Sequence, residues 1–372
     1  MSICIIGQCE IGGDEDSEAS GRRFHYDRGR LLPCQEIRAT GGPTQKLILP
    51  SVIAARRQMR KVSGMKAGDL HRPVGILLAG AILFACFLPC GTMAADKPMK
   101  IKLLIVEGVS NHDWKHRLEL VRQILARDGS FDVDVSTTPS RADDPAWSTW
   151  RPDFSKYEVV LSGYNNLGGK PPWPVEVQQA FENFVRLGGG FYVYHEANNS
   201  FAEWPEYNQM IGLGWRNKNF GRAIVVRPDE SLQIVPAGEG DDTAHGARSD
   251  VVVHQLGEHP IHAGLPRAWK AADIEVYRYA RGPATNLTVI AYGADPQTHL
   301  QFPIEWTVQY GRGRVFVSTY GHVWADQKDP KGMKCVAFQT IMVRALKWLA
   351  LRPADDAVPA DFPSADAISL RP

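Results

Sequence analysis

The most regular hydrophobic pattern begins near residue 100 and alternates between two periods. Met99 to Val106 (MKIKLLIV) reads as a first strand. Leu118, Val121, Ile124 and Leu125 then recur at the spacing of one helix face. Phe131 to Val135 alternates apolar and polar residues as a second strand does, and Tyr157 to Ser162 predicts a third. Val175 to Leu187 reads as a helix that stops at Gly188-Gly189-Gly190. Phe191 to Tyr194 is a short apolar run that ends abruptly in His195-Glu196-Ala197-Asn198-Asn199. Strands alternating with helices at this spacing predict a mostly parallel sheet with helices on both faces. Right-handed crossovers then bring the loops after these strands to one edge, where α/β sheets bind ligands.

The second half predicts shorter strands: 223–226, 251–254, 287–292, 304–308 and 314–318. The last follows the turn Tyr310-Gly311-Arg312-Gly313 and ends in Thr319-Tyr320-Gly321-His322, again polar residues just past an apolar strand. Residues 335–350 predict a closing helix, and the Pro/Ala/Asp-rich tail 353–372 is expected to be loose.

The first 95 residues break this pattern. Residues 1–64 mix Gly, Arg, Cys and acidic residues without sustained periodicity, and are expected to be an over-long gene-model start or a disordered extension. The competing expectation is a genuine cytoplasmic extension before a signal anchor. Met65 opens a weakly basic leader, Val74 to Leu88 is continuously apolar or small, and Thr92-Met93-Ala94-Ala95 supplies small residues for cleavage. Residues 65–95 thus read as a secretory signal peptide, with export to the periplasm or outside the cell. The run falls short of the roughly 20 residues of a membrane helix, so no stable span is expected after cleavage. Residues 96–352 form the expected folded domain.

Composition narrows the classes. Apolar residues make up 44% of the 372 and charged residues 22%, which is ordinary for a globular chain. Lys+Arg 42 against Asp+Glu 41 gives a net charge of +1, with no basic excess to suggest a nucleic-acid partner. Five cysteines precede the expected cleavage and only Cys335 follows it, so the domain holds neither an internal disulfide nor a cysteine-rich zinc site.

The candidate chemistry sits in the converging loops. His195 and Glu196 end the fourth strand, as base, acid or ligand; the alternative is a histidine bonded to backbone at a tight turn. His112 and Asp113 follow the first strand, where Asn111 or Asp113 can instead cap the next helix. His322 follows the last strand, with packing beside Trp324 as the alternative. Asp273 and Glu275, two apart, are a candidate carboxylate pair or a solvated strand face. Asn198, Asn199 and Tyr164 suit sugar hydroxyls, though Asn also stabilises turns. All ten tryptophans follow residue 95, and Trp114, Trp173, Trp204 and Trp215 lie near the loops. Aromatic faces pack on sugar rings, but most tryptophans belong to the core. Imidazole with carboxylate suits Zn, Mn or Fe. No local motif such as H-E-x-x-H is present, so a divalent metal is a candidate cofactor with no assigned ligands.

Taken in order, Asn111-His112-Asp113-Trp114, the run His195 to Phe201 (HEANNSF), Glu206 to Arg216, Glu258-His259-Pro260-Ile261, Asp273 to Tyr277, Trp306-Thr307-Val308, Tyr310 to Phe316 and Gly321-His322 resemble the trehalose-utilisation (ThuA-like) family. The resemblance covers most of residues 100–350. It implies a flavodoxin-like fold of the class I glutamine-amidotransferase type and a role in bacterial carbohydrate metabolism, on trehalose or keto-sugar derivatives. True amidotransferases carry a nucleophilic cysteine at the elbow after the strand, and here His195 or its neighbour stands there. That argues against glutamine hydrolysis by a thiol. The expected function is a sugar-processing hydrolase or lyase without a cysteine nucleophile, on a small-molecule carbohydrate. His195, His112, Glu196 and His322 would do the chemistry. Asn198, Asn199, Trp114, Asp113, Glu275 and Tyr164 would hold substrate. The alternative is a non-catalytic sugar-binding module on the same fold. The sequence assigns no oligomeric state.

Overall fold

In the computed structural model, which describes residues 99–372, strand and helix alternate as the periodicity predicts. The expected extension 1–64 and leader 65–95 lie outside the described residues. The parallel half consists of β1 (Ile101–Glu107), α1 (Trp114–Asp128), β2 (Phe131–Thr137), β3 (Val159–Ser162), α2 (Val175–Arg186) and β4 (Gly190–Tyr194). After α3 (Pro205–Ile211) come β5 (Arg222–Val226), β6 (Leu232–Val235), β7 (Ser249–Gln255), β8 (Ala268–Ile274) and β9 (Arg281–Gly282). The chain then forms β10 (Leu287–Ala294), β11 (Gln301–Tyr310), β12 (Gly313–Ser318), the short α4 (Lys331–Lys334) and α5 (Val336–Leu349).

These strands share one sheet in the order β2-β1-β3-β4-β12-β11-β10-β7-β8, with β5, β6 and β9 branching from β11. The first five in that order pair in parallel, and pairing from β12 through β8 is antiparallel. So β12 lies parallel to β4, and the loops that leave β1, β3, β4 and β12 emerge at one edge. This is an α/β fold of the flavodoxin-like type.

Period-two alternation explains the two cores. In β1, Ile101, Leu103 and Ile105 face α1 and α5, where Val121, Leu125, Ile341 and Leu346 meet them. Leu104 and Val106 face the other way, toward Val177, Phe181 and Val185 of α2 and the aromatic group Trp173, Phe201 and Trp204. With helices on both faces, β3 and β4 are buried at every position.

Five elements had no clear sequence signal, among them the very short β9 and α4. In β8 (AWKAADI), alanines of weak strand propensity fill buried positions. β6 is a short, largely exposed strand. α3 spans seven residues behind Pro205, too few to show a helical period. The tail also departs from expectation, because it is tied to the domain. Lys270 donates its amide to Ser364 O (2.7 Å), Val336 to Ser369 O (3.0 Å) and Arg371 to Lys334 O (2.7 Å). Phe362 packs on Trp269 at 5.8 Å between ring centres. Its polar composition concealed one aromatic anchor and a set of backbone bonds.

Among the described residues, no helix is long and apolar enough to cross a membrane.

Candidate active site

The parallel edge gathers three histidines from three separate loops. His112 follows β1, His195 follows β4, and His322 follows β12. Backbone bonds fix their approach: the Asp113 amide donates to Val323 O at 3.0 Å, which joins the first loop to the last. His195 opens a 3-10 turn (His195–Asn199) with φ of 31°, a left-handed geometry rare outside glycine. This sharp strand-to-helix turn follows β4 directly. Gly321, at φ 95°, allows the tight turn that presents His322; a Cβ there would also strike the Tyr194 hydroxyl.

The rings meet edge to face. Ring centres of His112 and His322 are 4.6 Å apart, and His195 lies 5.2 Å from each. One nitrogen from each ring can be chosen so that all three lie within 4.8 Å of one another. Glu275, just past β8, joins them: Oε2 is 3.6 Å from His195 Nε2 and Oε1 is 3.5 Å from His322 Nε2. His245 approaches the same carboxylate at 3.6 Å.

The electrostatics follow from burial. Desolvation, reinforced by the neighbouring His322, pushes His112 down to about 2. Desolvation and the Arg248 charge push His322 down to about 4. His195 falls well below the usual histidine range for the same reason, with His322 and His112 adding to it. Burial raises the Glu275 carboxyl against the pull of His245 and Arg248. At neutral pH the site therefore holds three neutral imidazoles beside a carboxyl with raised proton affinity.

A cleft of about 620 Å³ opens over these groups. His112, His322, Glu275 and Tyr277 reach its wall, with Asn199, Trp215 and Trp324 around them. His195 has no exposed surface and lies beneath, with Nδ1 2.7 Å from Thr319 O and the Tyr277 hydroxyl 3.4 Å from its ring nitrogens. The carbonyl must accept a proton from Nδ1, so Nε2 carries the lone pair toward Glu275. His195 thus meets the cleft through Glu275.

Other sequence candidates serve the frame. Asp113 caps α1, accepting from the His116 amide at 3.1 Å. Trp114, half-buried at the start of α1, is not among the cleft-lining residues, and the Lys115 ammonium lies 5.6 Å from its ring centre. Tyr164 is core: its hydroxyl donates to Pro171 O and its ring stacks on Phe201. Asn198 donates its amide to Leu213 O at 2.7 Å and Asn199 lines the cleft, and both keep a buried Oδ1 without a partner. Trp173 and Trp204 are core, and Trp215 is a cleft residue. Glu196 is buried outside the cleft lining, where it pairs with Arg117 and accepts from the Ser110 hydroxyl at 3.2 Å; Arg117 also pairs with Glu107. Gly163 leaves room for that guanidinium, since a Cβ there would strike it.

The period-two argument for Asp273 and Glu275 fails in detail, because Asp273 adopts φ of 52° and β8 ends at Ile274. Both carboxylates nevertheless reach the cleft, and Asp273 lies 3.4 Å from Arg248 Nε. Sequence reasoning missed Arg248, Arg117 and Tyr277 as parts of the site and left His245 unplaced. Arg117 lies on the predicted helix α1 as a polar residue with no sign of its buried role, while Arg248 and His245 lie in a Gly/Asp-rich loop without a period. Cys335 is buried at the start of α5, its thiol pushed up by desolvation and its sulfur accepting from the Ala272 amide.

Most of the described chain matches a known family model. Residues 102–349 match the model described as ThuA, trehalose utilisation. The chain belongs to the ThuA family. A ThuA-like protein from Parabacteroides merdae, known from a crystal structure, is 33% identical with a TM-score of 0.68; the match covers 73% of this chain and 98% of that one. A β-galactosidase from Bacillus circulans sp. alkalophilus is 13% identical with a TM-score of 0.38, over 70% of this chain and 32% of that one, too low to carry an argument. No curated protein matches. This ThuA-family chain thus belongs to a family described by a carbohydrate-related role, on the fold its sequence predicts.

Proposed function

We propose that this ThuA-family chain is an enzyme that moves protons on a sugar or an oxidised sugar, in hydrolysis or elimination, without a cysteine nucleophile. The observation that carries the reading is the buried contact between Glu275 and His195, 3.6 Å apart, at the floor of a polar cleft. A carboxyl whose proton affinity is raised by burial, braced by a neutral imidazole, is suited to general acid–base work near neutral pH. In this reading Glu275 takes a proton from a sugar hydroxyl, a water or a carbon acidified by a neighbouring carbonyl, and returns one to the leaving oxygen. His195 is a positioning residue that acts through Glu275. His112 and His322 line the approach, and Asn199 with Trp215 offers an amide and an aromatic face to a sugar ring. A passive sugar-binding module would need the aromatic face and amide but not a buried cluster of ionisable groups. The apolar run Val74 to Leu88 supports export as part of the same proposal.

The test is turnover of glycosides and 3-keto-glycosides by the purified protein and by Glu275→Gln. Activity in the wild type that falls by two or more orders of magnitude in the variant supports the reading. Equal turnover by both removes Glu275 from the mechanism, and sugar binding without turnover favours the binding module. N-terminal sequencing of protein recovered outside the cytoplasm tests export, and an intact residue 1 overturns it.

A further inference from the structure

We infer that His112, His195 and His322 form a binding site for one first-row divalent transition cation, with the fourth coordination position open to the cleft beside Glu275. The inference extends the proposed function but does not need it, because cation binding is measured without substrate.

The proton arrangement of two of the three rings is the main argument. In both, Nδ1 faces an oxygen that can only accept. His195 Nδ1 is 2.7 Å from the Thr319 carbonyl and His112 Nδ1 is 2.9 Å from Asn111 Oδ1, whereas His322 Nδ1 accepts from the Arg248 guanidinium, with Gln327 Oε1 3.3 Å away. The Asn111 amide cannot be turned over, since its oxygen also accepts from Asn165 Nδ2 at 2.6 Å. Such partners place the proton on Nδ1 and leave the Nε2 lone pair free. An acceptor behind Nδ1 is the arrangement that orients metal-binding histidines and raises their basicity.

The geometry agrees. One ligand atom per ring falls in a set no wider than 4.8 Å. Ligands about 2.0–2.1 Å from a tetrahedral zinc lie about 3.3–3.5 Å apart, so the rings need only a modest closing movement. The Glu275 oxygens, 3.5 and 3.6 Å from two of the Nε2 atoms, border the remaining corner. His195 anchors the cluster from beneath, while His112 and His322 face the cleft, so a cation has a route in. Three imidazoles with an open fourth position is a donor set suited to zinc and its first-row neighbours rather than to magnesium or calcium.

Arg248 is the competing cation. Its guanidinium donates to His322 Nδ1 and also reaches Gln327 Oε1 (3.4 Å) and Asp273 Oδ1 (3.4 Å), so only when Arg248 withdraws can the Nδ1 proton pass to the Gln327 side and free Nε2. On loading, Arg248 gives up the ring and keeps Asp273. Arg248→Met is therefore expected to tighten binding.

The experiment uses the full purified chain, stripped with a chelator and dialysed. Zinc chloride is titrated calorimetrically, and retained metal is counted by mass spectrometry after gel filtration. One equivalent per chain is expected. Asn111→Leu, which removes the oxygen shared by His112 and Asn165 and no ligand atom, should bind about 10–100-fold more weakly. His112→Ala and His322→Ala should bind at least ten-fold more weakly, with His116→Ala, on α1, as the unaffected control. Cobalt(II) added to the wild type gives a readout that needs no variant: intense visible bands of a four-coordinate, nitrogen-rich site. Absence of stoichiometric binding, or binding equal in wild type and His112→Ala, overturns the inference. Stoichiometric binding without sugar turnover leaves it standing and removes the proposed enzyme function instead.

Discussion

His195 Nε2 lies 3.6 Å from Glu275 Oε2, and the opposite nitrogen of the same ring lies 2.7 Å from Thr319 O. The carbonyl holds the ring in one tautomer, and the free lone pair faces the carboxyl. Replacing Glu275 by Gln keeps the shape and removes the exchangeable proton. We expect a kcat reduced by about 10²–10⁴-fold with KM nearly unchanged, measured on the sugar that the wild type turns over best. A change confined to KM would assign Glu275 to binding alone.

Beneath the site, Arg117 pairs with both Glu107 and Glu196, and all three side chains are buried. Burial raises the Glu107 carboxyl even with the guanidinium beside it. Arg117 also lies over the Tyr194 ring, 4.8 Å from its centre. Removing the one cation leaves two carboxyls buried, which costs about 3–5 kcal/mol. Arg117→Met should lower the unfolding free energy extrapolated from urea denaturation by that amount. Adding Glu107→Leu and Glu196→Leu should recover much of it, because a fully apolar replacement removes the uncompensated charge. A single variant within about 1 kcal/mol of wild type would show that the network contributes little.

Much of this was legible beforehand. Runs such as LLIV and FYVY, the helix stop at Gly188 and the polar loops after them gave the parallel half, and with it the meeting of His112, His195 and His322. That inference needed only chain order and crossover handedness. The antiparallel half was harder. Glu275 reaches the site from β8, whose buried alanines carry little strand signal, through a residue with positive φ. Pairings such as Arg117 with Glu196, 79 positions away, have no local pattern. Asp113 took its capping alternative and Tyr164 left the substrate set, because a polar type in the right loop says nothing about which way it turns. One helix amide claimed Asp113, and the Pro171 carbonyl and the Phe201 ring claimed Tyr164.

The tail offers a separate test. Phe362 packs against Trp269, and the segment around it hydrogen-bonds to β8 and to α4 and α5. Phe362 is only partly buried, so Phe362→Ala should cost about 2 kcal/mol, below the roughly 3–5 of a fully buried phenylalanine. Chain ending at Arg352 should lose more, since the backbone bonds go as well. Thermal unfolding of the two variants measures this. Melting at the wild-type temperature in both would mean that the tail contacts carry no stability.

His259 predicts the acid side of the stability curve. Its Nδ1 accepts from the Ile261 amide at 3.3 Å, a cap that requires an unprotonated nitrogen. Burial pushes its pKa down to about 4, with the His262 and Arg314 charges adding to it; its ring also packs on Trp348. In the unfolded chain the value returns to about 6.5. The folded pKa is the lower one, so between these values the unfolded state binds more protons. Stability from this group is therefore complete above about pH 6.5 and is lost as the pH falls toward 4. Allowing for solvent screening at this half-buried position, the loss is on the order of 1–2 kcal/mol. His259→Asn keeps a capping acceptor that does not titrate. Urea unfolding at pH 7.5 and pH 4.5 should show a smaller acid loss in the variant than in the wild type. Equal losses would place the acid sensitivity in other groups.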